Sequence, residues 1–133
     1  MMRLVDASQL FLDLGENNAQ MDIFRENGQI LLQVYRYSDV KRWDCDIDFG
    51  IGDGYVFELL FSKSKTDNAA NFARFQNTEA RTSFHKFNKI EQNSFFAFLP
   101  KNVRLEKFEK FISSTLSAVY GNLENIDFQV NVY

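Results

Sequence analysis

Cysteine, proline and histidine each occur once in the 133 residues, and glycine only six times. A single cysteine, Cys45, excludes an internal disulfide and leaves a thiolate metal site without its further ligands. Scarce proline and glycine exclude collagen-like and low-complexity chains. Long apolar runs are also missing, since no stretch reaches the ~20 apolar residues of a membrane span. The opening MMRLVDASQLFLDLGENN carries Asp6 and Asp13 where a secretory leader would be apolar. The cytoplasm is therefore the expected compartment, with no membrane association. An excess of positive charge is absent as well. Fifteen basic residues face 18 acidic ones for a net charge of −3, which gives no electrostatic reason to approach nucleic acid.

What the chain does have is phenylalanine, 15 of them, within a hydrophobic fraction of 45%. These rings bury large apolar areas and suit sheets, so residues 1–133 are expected to fold as a single domain around a real core. Rings left at the surface can anchor a partner.

Periodicity divides the chain into short elements. Asp6-Ala7-Ser8-Gln9 reads as a capped helix start, with Leu10, Phe11 and Leu14 at helical spacing and Gly15 as the stop. MDIFR and QILLQVYRY form a hairpin around Asn27-Gly28, with Gln33, Tyr35 and Tyr37 on the face away from the core. Trp43, Cys45, Ile47, Phe49 and Ile51 alternate with Asp44, Asp46 and Asp48, the pattern of a half-buried strand. Gly52-Asp53-Gly54 would turn it into a second strand, YVFELLFS. Residues 66–93 read as a helix followed by a strand, and SFFAFLP as a buried strand. LEKFEKFISSTLSAVYG is an amphipathic helix with a stripe from Leu105 to Tyr120, and IDFQVNVY alternates as a closing strand. The expected class is α+β. It is a single domain with a mainly antiparallel sheet built from hairpins, a short N-terminal helix and a C-terminal amphipathic helix.

WDCDIDFGIGDG is the strongest candidate for chemistry, and several readings of it fail. A calcium loop starting at Asp44 would need glycine at its sixth position and glutamate at its twelfth, where Phe49 and Tyr55 stand. An extended strand would spread the three carboxylates over ~13 Å, too far to share one ion. A phosphate cradle fails because Tyr55 occupies the third glycine position and a strand follows instead of a helix. A metal-dependent nuclease using Asp48 or Asp53 with Glu58 stays as a further alternative, since Lys63 and Lys65 are nearby although Leu60 stands where its lysine is needed. A Cys45–His85 pair is weakened because Cys45 falls on the apolar face of its strand. No metal, cofactor or catalytic group is therefore assigned. The row Asp44, Asp46, Asp48 reads instead as a docking face for a basic protein. Trp43, Tyr35 and Tyr37 are the candidate rings beside it, and Asp53 stands at its end.

In overall character the chain resembles the immunity proteins of bacterial contact-dependent inhibition systems. NSFFAFLP followed by NVRLEKFEKFISSTLSAVY, together with the Trp43 hairpin, carries the resemblance. It implies a small, acidic, cytoplasmic, non-enzymatic α+β protein that binds and neutralises a cognate toxin domain with a basic or nucleic-acid-directed surface. A second resemblance, carried by DLGENNAQMDIFRENGQILLQV, is to type III secretion chaperones. That one implies binding of an effector segment by a dimer.

Overall fold

The computed structural model describes residues 2–14, 18–25, 28–36, 53–62, 66–89, 92–121 and 124–133. Helix α1 (Leu4–Asp13) leads to the hairpin β1 (Ala19–Arg25) and β2 (Ile30–Arg36), and then to β3 (Gly54–Ser62). Helix α2 (Thr66–Gln76), a 3-10 turn (Glu79–Ser83), β4 (His85–Lys89) and β5 (Gln92–Pro100) follow. Helix α3 (Leu105–Tyr120) and β6 (Ile126–Val132) complete the fold. The strands form one six-stranded sheet in the order β4-β5-β3-β2-β1-β6. Every neighbouring pair is antiparallel. The class is α+β, as expected.

Strict alternation makes the two faces of this sheet different. Met21, Ile23, Val34, Phe57, Leu59, Phe95 and Ala97 are fully or almost fully buried. They lie on the face where the helices pack. Phe108 of α3 meets Phe11 of α1, Tyr55 and Phe57, with ring centroids 5.4–5.9 Å apart. Phe75 of α2 meets Phe61 and Phe95 at 5.6 and 4.9 Å. Phe84, just before β4, touches both Phe75 and Phe111, so the rings form one continuous belt between helices and sheet. Arg81 closes its end, with its guanidinium carbon 4.8 Å from the Phe95 ring centroid and Nη1 donating to the Phe84 carbonyl.

Local chemistry explains the connections. Gly28 takes φ 84° in the β1–β2 turn, a left-handed conformation that glycine adopts freely. A bulge shifts the register between Ile23 and Phe24, so that Ile23 pairs with Leu32 and Phe24 with Ile30. The Leu31 carbonyl beside it accepts a 2.5 Å hydrogen bond from the buried Tyr120 hydroxyl, which fastens the bulge to α3. Gly54 is required by contact rather than by conformation, since a Cβ there would lie 2.4 Å from the Leu99 carbonyl oxygen.

Two expectations need correction. Helix α1 starts at Leu4, with Arg3 as its N-cap residue and no side-chain cap. Asp6 lies inside the first turn and pairs with Arg3 at 2.9 Å. An acid is favourable there because it faces the positive end of the helix dipole. The hairpin expected between residues 43–51 and YVFELLFS is also displaced. Tyr55–Glu58 pair with β2 on one side and β5 on the other, so no edge of that stretch remains for it. Residues 43–51 themselves lie outside the described residues.

Candidate functional site

Among the described residues, helices α1, α2 and α3 lie on one face of the sheet, and the opposite face carries the other half of each alternation. Across it, one row of side chains runs Gln129 (β6), Asp22 (β1), Gln33 (β2), Glu58 (β3), Phe96 (β5). A second row runs Asn131, Gln20, Tyr35, Val56, Phe98. The β6, β1 and β2 side is therefore acid and amide, and the β5 side is aromatic.

Asp22 is the hub of the acid–amide half. Its Oδ1 accepts from Gln20 Nε2 at 2.6 Å and from Gln33 Nε2 at 2.9 Å, and its Oδ2 from Asn131 Nδ2 at 3.4 Å. Three strands thus hold one carboxylate, and the amides have little freedom left to lose when a partner arrives. Gln129 donates to Asn131 Oδ1 at 3.1 Å, and the Tyr133 hydroxyl donates to Gln20 Oε1 at 2.6 Å. Tyr133 is 72% exposed, so its ring is available to a partner. Asp127 stands on the same face of β6. On the face opposite the helices, β6, β1, β2 and β3 hold the half-buried Asp22 and Asp127 and the buried Glu58, and no lysine or arginine among the described residues.

Tyr35 sits deeper, at 6% exposure, and does not present a free ring. Its hydroxyl lies 2.7 Å from Gln33 Oε1 and 3.3 Å from Glu58 Oε1. Burial, reinforced by the Glu58 charge, pushes its pKa far above the ordinary tyrosine range, so it remains a neutral donor. Its role is to orient Gln33 and Glu58.

Asp53 belongs to a different cluster. It forms an ion pair with Arg36, and its Oδ1 accepts from the Gly54 amide at 2.9 Å. Arg36 is opposite Tyr55 in the ladder, on the helix-bearing side, whereas Glu58 is on the other. The pair ties the end of β2 to the start of β3. Asp53 and Glu58 therefore do not converge on one ion. Among the described residues no group of three His, Cys, Asp or Glu side chains is placed to hold a metal. Trp43, Asp44, Asp46, Asp48 and Tyr37, the other residues singled out in the sequence, lie outside the described residues, as does Cys45.

Sequence reasoning missed Asp22, Asp127 and Tyr133. The signal was present, because IDFQVNVY and AQMDIFR both alternate. What the pattern could not say is that β6 pairs with β1, which brings the two polar faces together.

A groove of about 580 Å³ lies between the 3-10 turn and α3, lined by Thr78, Glu79, Thr82, Phe84 and Phe111 among others. No cluster of ionisable groups converges on it. No helix among the described residues is long and apolar enough to cross a membrane. Comparison with family models, with curated proteins and with solved structures returned no significant match.

Proposed function

We propose that this chain is a non-enzymatic binding protein, an immunity protein of the bacterial cytoplasm that captures and neutralises a toxin domain with a basic surface. The observation that supports this reading is the face opposite the described helices, where acids and amides are held in fixed positions and, among the described residues, β6, β1, β2 and β3 turn no lysine or arginine outward. Fixed carboxylates steer a basic partner during approach, and an exposed ring at the rim supplies an anchor. Asp44, Asp46 and Asp48 add to the chain's net negative charge of −3. Blocking the partner requires only that this contact overlap the toxin's own substrate cleft.

The test has two steps. A tagged chain is used to capture a stoichiometric partner from its host, and that partner is then expressed with and without the chain. Growth arrest by the partner alone, relieved by co-expression, is the expected result. A partner that binds through an extended, unfolded segment and shows no toxicity would replace this reading with the chaperone one.

A further inference from the structure

The two edges of the sheet are protected very differently. At one edge β4 is only five residues long, and a short edge strand discourages pairing with another chain. At the other, β6 is seven residues long and reads IDFQVNV, with one charge and no proline or lysine. Among the described residues its only neighbour is β1.

The hydrogen-bond direction along β6 is fixed by its end. The Tyr133 amide donates to the Asn18 carbonyl at 2.9 Å, so odd-numbered residues of this strand bond towards β1. Ile126, Phe128, Val130 and Val132 therefore turn their amides and carbonyls to the open edge. The Phe128 amide is met there by the neighbouring Asp127 Oδ1 at 2.9 Å, a local substitute for a strand partner.

The side chains of this edge are self-complementary about Gln129. Antiparallel pairing of β6 with a second copy around a two-fold axis at Gln129 sets Phe128 opposite Val130 and Ile126 opposite Val132 on the helix-bearing face. On the other face it sets Asp127 opposite Asn131, a carboxylate against an amide, and Gln129 opposite itself. The outward-turned residues become the hydrogen-bonded pairs, as that register demands. Val132, 58% exposed, then gains an apolar neighbour. Centring the pairing on Asp127 would instead oppose like charges.

We infer that β6 is a homodimer edge, pairing antiparallel with a second copy of this chain through a two-fold axis at Gln129. Both helix layers then lie on the same side, and the six-stranded sheet is doubled to twelve strands. This inference is independent of the proposed function, since it rests on the edge and not on the face.

Sedimentation velocity across a concentration series should show a monomer–dimer equilibrium for the wild-type chain. Gln129 is exposed, so Gln129→Lys and Gln129→Glu should each leave the fold intact, as circular dichroism can check, and weaken the dimer about two- to fivefold. Each places like charges across the axis. Mixing the two variants should restore dimers, now hetero-dimers, which only a two-fold at this residue explains. A register check uses Gln129→Cys in a Cys45→Ser background. A non-hydrogen-bonded antiparallel pair has its Cα atoms ~4.5 Å apart, within disulfide range, so oxidation should crosslink the dimer. A wild-type chain monomeric throughout the series would overturn the inference. So would a dimer indifferent to both charge variants, or one not restored by mixing.

Discussion

Tyr35 and Tyr120 show how one hydroxyl can organise a neighbourhood. Each is buried at 6% exposure, and each donates its proton to a fixed acceptor. Burial raises both pKa values above the ordinary value of 10; at Tyr35 the Glu58 charge adds to the rise, and at Tyr120 Arg25 opposes it. The unfolded chain sheds these protons near that value while the folded chain keeps them. Above it the unfolded state binds fewer protons, so stability falls as the pH rises past 10. Thermal melts should show this decline, and a Tyr35→Phe/Tyr120→Phe double variant should flatten it. Equal slopes in the two proteins would contradict the assignment. Tyr120→Phe alone leaves the Leu31 carbonyl without its donor and should cost about 1–3 kcal/mol in urea denaturation. Gly54→Ala brings a Cβ within 2.4 Å of the Leu99 carbonyl. Strands β3 and β5 must part there, at a cost of about 1–3 kcal/mol. Asp53→Asn removes the charge that meets the buried Arg36 guanidinium, and a loss of about 1.5–3 kcal/mol is expected.

At the scale of elements, α3 is the member that joins the rest. Its buried stripe is Phe108, Ile112, Leu116, Val119 and Tyr120, and it packs against α1, α2 and the 3-10 turn. Phe108→Ala removes a fully buried ring in contact with α1 and β3 and should cost about 3–5 kcal/mol by chemical denaturation. This helix was plain in the sequence because seven apolar positions repeat at one period and Gly121 ends it. The β1–β2 hairpin was equally plain, since Asn27-Gly28 joins two alternating runs. YVFELLFS and SFFAFLP were recognisable as strands, yet which strand each would pair with was not. A run that is apolar on both faces has two edges and no preference written in its own residues. The boundary of α1 was missed by three residues because Asp6 suits a helix's first turn as well as its cap. The polar face was legible in part: Gln33 and Tyr35 lie on the face opposite the helices, as assigned, but Tyr35 is buried there. Their convergence with Asp22 and Asn131 depends on β6 returning to pair with β1, a contact between distant parts of the chain that no local pattern encodes.

Taken whole, the described residues put three helices and the aromatic belt on one side of the sheet, while the other side carries acids and amides on β6, β1 and β2 and rings on β5. A net charge of −3 understates this polarity, because charges of both signs are spread through the chain while, among the described residues, a strip of the face opposite the helices carries only negative charges on β6, β1, β2 and β3. A face of this kind favours fast, salt-sensitive capture of a basic partner. Pairing of β6 with a second copy would place two such strips side by side on one surface.

The most direct measurement is the association rate with the captured partner at increasing salt. The wild-type chain is compared with an Asp22→Asn/Asp127→Asn variant and with an Asp44→Asn/Asp46→Asn/Asp48→Asn variant. The wild-type rate should fall steeply with salt, and at least one acid-to-amide variant should start slower and respond less, with its fold unchanged by circular dichroism. Association that ignores salt, or that proceeds at the wild-type rate in both variants, would contradict the role given to this acidic surface.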